Sequence, residues 1–187
     1  MCMQCFDTLP RFHYKGKEYI SWQDDEICRV GFSEIPDIDN KNINKKVMSK
    51  DEIKKAKKKP LYLKNTVDVC LIDKIKNKTY TFTIYAFYDY DGASIPRFFC
   101  RIIGSRESIE FKIASLVHDV LCENHHYVDN DRYFADKVFE RLLEVGDVCA
   151  FKRWLMFHTV DNFQKFCGWE SNTLFYRCGC EIIERKR

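Results

Sequence analysis

Short runs in which apolar and polar residues alternate fill the first half of the chain, and this two-residue period predicts β-strands. The predicted strands lie at residues 11–14, 18–22, 26–32, 61–73 and 78–88. Lys15-Gly16-Lys17 is predicted as a three-residue hairpin loop between the first two strands, and residues 74–78 as the turn between the last two. The run at 78–88 is dense in the β-branched and aromatic residues that strands favour.

In the second half, apolar residues recur every three or four positions, which predicts helices. The predicted helices cover residues 107–122, 129–145 and 148–167. Their apolar stripes contain Ile109, Ile113, Leu116 and Val120 in the first, Tyr133, Val138, Leu142 and Val145 in the second, and Trp154, Leu155, Phe157 and Phe163 in the third. Strands followed by helices indicate an α+β fold, with N-terminal antiparallel strands and hairpins and a three-helix C-terminal part packed on the sheet.

A further helix is predicted within the polar residues of the N-terminal part. Ser49 can cap its first turn and Glu52 can bond back to the cap, which is the capping-box arrangement. Pro60 should end this helix. The polar residues 37–48 before it are predicted to be an exposed connection.

A length of 187 residues suits one domain. Within the single domain 1–187 we distinguish N-terminal strands with a lysine-rich helical arm (1–60), a core (61–170) and a C-terminal tail (171–187). No apolar run approaches the about 20 residues of a membrane helix, and the first five residues lack the layout of a signal peptide. We therefore expect a soluble, cytoplasmic protein with no membrane partner.

Ten cysteines are expected to be reduced in that compartment. Two local pairs stand apart, Cys2 with Cys5 and Cys178 with Cys180. If the two ends of the chain met, these four thiolates would bind one zinc ion. Unpaired thiols are the alternative that we favour.

The net charge of +3 is unevenly distributed. Residues 41–64 contain ten lysines and two acidic residues, a net charge of +8, so the rest of the chain sums to −5. Candidate binding residues in this arm are Lys54, Lys55, Lys57 and Lys58. They would contact nucleic-acid phosphates or a host or phage protein, although a solvated basic helix is the simpler interpretation. The run contains no Arg, the residue most used for reading bases.

Asp91-Gly-Ala-Ser-Ile-Pro-Arg97 links the strands to the helices. Gly92 permits a tight turn, and Pro96 fits the first turn of a helix capped by Ser94. One hypothesis makes Asp91, Ser94 and Arg97 a binding turn. The other, which we favour, is a sheet-to-helix junction whose polar residues satisfy backbone groups.

Candidate catalytic residues lie on the first two of the three predicted C-terminal helices: His118, Asp119, Arg132 and Asp136. In an antiparallel hairpin the two helices bring His118 and Asp136 within side-chain reach. His118, Asp119 and Asp136, with His126 from the loop, would then bind one divalent metal and activate water. In the competing structural account, which we favour, His118 bonds a carboxylate and locks the hairpin, and Arg132 pairs with Asp136.

The order of Asp91-Gly-Ala-Ser-Ile-Pro-Arg97, His118-Asp119, Arg132-x-x-x-Asp136 and Gly168-Trp169 resembles the phage and prophage family known as domain of unknown function 1353. The resemblance covers about residues 60–170 and implies a phage or prophage origin, with no established activity to carry over. Its recurrent polar positions fall on Asp91, Ser94, Arg97, His118, Asp119, Arg132 and Asp136. The chain departs from the family at Val120, where an aromatic residue is common.

Two functions follow as expectations. The first is a small phage-encoded hydrolase with a divalent-metal or acid–base site, working in the cytoplasm of a bacterial host. The second is a non-enzymatic accessory protein that binds a host protein, for example to inhibit a defence nuclease, or nucleic acid.

Overall fold

A computed structural model describes residues 9–90, 92, 109–124, 132–146, 148–167 and 180–186. The strands are β1 (Arg11–Tyr14), β2 (Lys17–Asp24), β3 (Cys28–Phe32), β4 (Ile38–Asn40), β5 (Leu61–Leu63), β6 (Val67–Asp73), β7 (Lys78–Ile84), β8 (Asp89–Tyr90) and β9 (Cys180–Lys186). The helices are α1 (Lys50–Lys58), α2 (Ile109–Glu123), α3 (Arg132–Val145) and α4 (Ala150–Cys167). The predicted α+β fold is therefore confirmed.

Six strands form an antiparallel sheet in the order β1-β2-β3-β6-β7-β9. Strand β9 pairs along the whole of β7, from Ile84 opposite Cys180 to Lys78 opposite Lys186. The sequence analysis predicted no strand in the tail, because Ile182 and Ile183 are consecutive and give no alternating pattern. Pairing with β7, rather than local pattern, places this segment in the sheet.

The turn between β1 and β2 is one residue shorter than predicted. Tyr14 pairs with Lys17, so the loop contains two residues. Lys15 and Gly16 have φ angles of 51° and 79°. Positive φ at both central positions is the geometry that matches the right-handed twist of a two-residue hairpin.

The strand predicted at 61–73 is divided between two sheets, and the strand predicted at 78–88 ends at Ile84. A small second sheet has the order β4-β5-β8. The chain leaves the large sheet after Ile84 and turns through Phe87, whose φ is 69°. Leu63 then exchanges backbone hydrogen bonds of 2.6 and 3.0 Å with Phe87 and Tyr88. The predicted connection 37–48 is also corrected, because it contains β4, which pairs with β5.

Helix α1 begins as predicted. Ser49 Oγ accepts from the Glu52 N–H at 3.2 Å, and Glu52 Oε2 accepts from the Ser49 N–H at 2.7 Å, which completes the capping box. The helix ends at Lys58, two residues before Pro60. These signals are local, so the sequence alone defined both ends.

One hydrophobic core joins the sheets to the three C-terminal helices. It contains Val69, Leu71 and Phe82 from the large sheet, Leu63 and Tyr90 from the small one, and Ile113, Leu116, Val138, Leu142 and Met156 from the helices. The predicted stripes are wrong at Tyr133 and Trp154, which are 58% and 54% exposed. Both rings pack on α4 side chains, Phe157 and His158, outside the core. In the described part of the chain, no helix is both long and apolar enough to cross a membrane.

Gly31 in β3 is predicted to be sensitive to any side chain. An added Cβ would lie 2.4 Å from Phe12 Cε1 and 2.9 Å from Tyr19 Cβ. Gly31→Ala should therefore lower the free energy of unfolding by about 1–3 kcal/mol, measured by urea denaturation. Combining it with Phe12→Ala should recover part of that loss. If the stability losses of the two single variants add exactly in the double variant, the contact of the new Cβ with Phe12 is not the cause of the Gly31→Ala loss.

Candidate acid–base site

Helix α2 presents two adjacent polar residues in different directions. Neighbouring positions on a helix point about 100° apart. His118 lies among the buried residues Val117 and Leu121 and faces α3. Asp119 is partly exposed, and its charge acts on Tyr90 of β8. Two consecutive side chains of α2 therefore act on different elements: His118 on α3, and Asp119 on Tyr90 of the small sheet.

His118 is hydrogen-bonded to Asp136 across the two helices. The distance from His118 Nε2 to Asp136 Oδ1 is 2.9 Å. His118 is 4% exposed and Asp136 is completely buried. The Phe139 ring lies beside the imidazole, with 5.1 Å between ring centroids. A buried imidazole and carboxylate in this geometry hold each other in one orientation.

Asp119 approaches the other nitrogen of the same ring. Its Oδ1 lies 3.7 Å from His118 Nδ1, and its side chain is 15% exposed. The Tyr90 hydroxyl donates to the Lys112 carbonyl at 2.9 Å, which fixes β8 against α2. Burial, with an added effect of the Asp119 charge, raises the pKa of Tyr90. Asp119 therefore lies near the Tyr90 hydroxyl.

Cys122 is a member of this cluster that the sequence analysis missed. Its Sγ lies 3.5 Å from His118 Nε2 and 3.7 Å from Nδ1. The available signal was the spacing of four residues, which places two side chains on one helix face. Burial raises the pKa of the Cys122 thiol, so the thiol is protonated near neutral pH.

The environment favours the charged imidazole. Burial alone would lower the pKa of His118, but Cys122, Asp119 and Asp136 outweigh it and raise the pKa well above the ordinary imidazole value. The imidazole thus has one acidic side chain at each edge, and its surroundings favour its charged form.

The three side chains do not gather around one point as metal ligands would. Asp136 is at one ring nitrogen of His118 and Asp119 is at the other, and the lone pairs of these nitrogens diverge. Within the described ranges, no three His, Cys, Asp or Glu side chains form a group suited to a metal ion. His126, the fourth member of the predicted metal set, lies outside these ranges.

Several predicted residues lie outside the described part of the chain. They are Asp91, Ser94, Arg97, His126, Cys2, Cys5 and Cys178. Arg132 begins α3 and Cys180 begins β9, but the description of these two residues is limited to the backbone. Gly92 is described, and its φ of 78° agrees with the turn predicted there.

Glu123, the last residue of α2, links this helix to the lysine-rich arm. Glu123 accepts from Lys59 Nζ at 3.1 Å and from the Tyr88 hydroxyl at 2.7 Å. It therefore ties the end of α1 and the turn before β8 to the helix that carries His118. Lys54, Lys55, Lys57 and Lys58 are exposed on α1.

A cleft of about 270 Å³ lies elsewhere, between the β6–β7 turn and the start of α3. Its lining includes Ile75, Tyr133, Phe134 and Lys137, with Asp73 at the strand end. The cleft does not include His118, Asp119 or Asp136, so it is separate from the candidate site.

These features define a class: an α+β protein in which a helical hairpin with a buried His–Asp pair packs on an antiparallel sheet. The family model described as "Protein of unknown function (DUF1353)" matches residues 67–160, and the chain belongs to this family. The predicted family membership is thus confirmed. No curated protein and no solved structure matches the chain.

The raised pKa of His118 predicts how stability depends on pH. The stabilisation is complete below the unfolded pKa of about 6.5 and is lost as pH rises through the higher folded pKa. His118→Gln should therefore cost about 3–5 kcal/mol near pH 6, and the difference from wild type should shrink at higher pH. Urea unfolding in reducing buffer measures this.

The exposed His13 supplies the control, because His13→Gln removes an imidazole whose side chain is 71% exposed. That variant should leave stability nearly unchanged at every pH. A His118→Gln difference that stays constant or grows with pH would contradict the charged-imidazole account.

Proposed function

We propose that this protein is a hydrolase whose acid–base site consists of His118, Asp119 and Asp136. The observation that carries the proposal is the imidazole flanked by a carboxylate at each nitrogen, at 2.9 and 3.7 Å. Ionisable groups in low-dielectric surroundings with strongly shifted pKa values concentrate at functional sites. The family resemblance supports a phage or prophage protein acting in the cytoplasm of a bacterial host.

The three residues differ in access to substrate. Asp136 is completely buried and His118 nearly so, whereas the Asp119 side chain retains 15% exposure. Asp119 is therefore the group proposed to touch the reacting atoms. Asp136 holds the ring of His118, and that ring in turn positions Asp119.

In the proposed reaction, Asp119 takes a proton from a water molecule. The water oxygen forms a bond to the phosphorus or carbonyl carbon of the substrate, and the bond to the leaving group breaks. Asp119 then returns the proton to the leaving oxygen or nitrogen. The step consumes one water and leaves the enzyme unchanged.

Asp119→Asn tests this role, since it removes the base while preserving shape. We expect hydrolysis to fall about 100-fold or more, with a circular dichroism spectrum that shows the fold intact. Initial rates on nitrophenyl esters, a nitrophenyl phosphodiester and an anilide amide give the measurement. Glu34→Gln, which removes an exposed carboxylate in the loop after β3, is the control.

Three outcomes would count against the proposal. Full activity of Asp119→Asn, or an equal loss in Glu34→Gln, would show that Asp119 takes no part in the reaction. Absence of hydrolysis in the whole substrate panel would refute the hydrolase. Loss of activity with chelator and its recovery with a divalent ion would instead favour the metal site, completed by His126 or another residue outside the described ranges.

The second candidate function is docking on a host protein, and a row of exposed aromatic residues favours it. This aromatic surface consists of Tyr133, Phe151 and Trp154, each more than half exposed. The Phe151 and Trp154 rings are stacked, with 6.5 Å between centroids. Neighbouring cations are already neutralised by ion pairs on the same helices. An aromatic centre with a polar, charge-balanced rim is typical of protein interfaces.

Replacing the aromatic surface should abolish this docking without unfolding the chain. We expect Phe151→Ala with Trp154→Ala to lose a partner that the wild-type protein captures from a bacterial lysate. The control is Phe87→Ala, which removes a ring that is 79% exposed on a different turn. Capture that survives the double replacement, or fails equally in the control, would contradict an aromatic docking site.

A further inference from the structure

Eight of the ten lysines of residues 41–64 fall into two groups in the structure, and the other two, Lys45 and Lys46, are exposed in the turn before α1. Lys41, Lys59 and Lys64 form ion pairs with Asp89, Glu123 and Asp37 at 2.6–3.1 Å. The other group lies on α1, where Lys50, Lys54, Lys55, Lys57 and Lys58 are exposed. Within the described part of the chain, none of these five has an ion-pair partner at 4 Å or less. We call these five residues the lysine face.

The lysine face is held rigidly on the body of the protein. The capping box fixes the start of α1, and Ala56, in the middle of the helix, is buried. The Lys59–Glu123 ion pair fixes its end, and the Lys41 N–H donates to the Pro60 carbonyl at 2.7 Å. A positioned set of charges loses less entropy on binding than a flexible tail does.

The chemistry of the lysine face favours a phosphate backbone over a protein partner. Protein interfaces are depleted in lysine and depend on aromatic, Met and Arg anchors. Helix α1 exposes no large apolar side chain. Phosphate binding needs no such anchor, because lysines gain affinity by releasing condensed counterions.

The residue types present in 41–64 also indicate which kind of nucleic acid is bound and whether its sequence is read. The lysine face has no Arg for base edges, and Tyr62 is the only aromatic residue in 41–64 available for stacking on bases. We propose that the lysine face of α1 binds the phosphate backbone of double-stranded nucleic acid without sequence preference. This binding is independent of the proposed hydrolase and stands or falls by itself.

The test uses fluorescence anisotropy of the full chain with a labelled DNA duplex of arbitrary sequence at several salt concentrations. The arm variant carries Lys54→Gln, Lys57→Gln and Lys58→Gln. The control variant carries Lys15→Gln and Lys76→Gln on the turns after β1 and β6, and Lys17→Gln at the start of β2, where Lys17 is paired with Asp68. Both variants lower the formal net charge from +3 to 0, so an effect of total charge is equal in the two. Glutamine keeps helix propensity close to that of lysine.

We expect wild type and control to bind the duplex similarly, with affinity that falls steeply as salt increases. The arm variant should bind at least about tenfold more weakly at low salt, and its slope of log affinity against log salt should decrease by up to about 3. A second duplex of unrelated sequence should bind equally well. Circular dichroism and melting temperature verify that α1 and the fold persist.

Each alternative result would overturn the proposal. Equal weakening in the control variant would show that binding depends on total charge. Unchanged binding in the arm variant would show that the lysine face is not the binding site. Tighter binding of poly-glutamate than of the duplex would identify an acidic protein surface as the partner. Tighter binding of single-stranded than of duplex DNA would contradict backbone recognition of a double strand.

Discussion

The buried contact between His118 and Asp136 is the constraint on which the helical half of the molecule depends. Removing two charges from water costs several kcal/mol for each ion, and only close geometry with further hydrogen bonds offsets that cost. The 2.9 Å contact therefore tolerates little sliding or rotation of α2 against α3. Apolar packing alone, here around Phe139 and Leu142, would permit several neighbouring arrangements of similar energy.

The sheet side fixes α2 from the opposite direction. The Tyr90 hydroxyl bonds to the Lys112 carbonyl near the start of α2, and the Tyr88 hydroxyl bonds to Glu123 at its end. Tyr90 lies in the short strand β8 and Tyr88 directly precedes it, after the chain has left the large sheet at Ile84. Asp119 lies between the two anchors along α2. Its position near the Tyr90 hydroxyl thus follows from contacts that neither helix nor sheet could supply separately.

The sequence predicted those structural features that depend on a few neighbouring residues. The Ser49–Glu52 capping box and the positive φ of Gly92 depend on a few adjacent residues, and both were predicted. The pairing of β9, the change of sheet after Ile84 and the exposure of Trp154 depend on distant segments, and all three were missed. The contact between His118 and Asp136 was predictable, because the geometry of an antiparallel helical hairpin gives the distance between them. Cys122 was overlooked because it is one of ten cysteines.

Glu123 gives a physical reason to consider the lysine face and the acid–base site together. It lies five residues after His118, about 7.5 Å along the helix axis, and it also holds Lys59 at the end of α1. A polyanion on α1 would therefore run toward the end of α2 that carries His118. Its attraction would come from the lysines of α1, because the candidate site itself carries two acidic side chains and one imidazole.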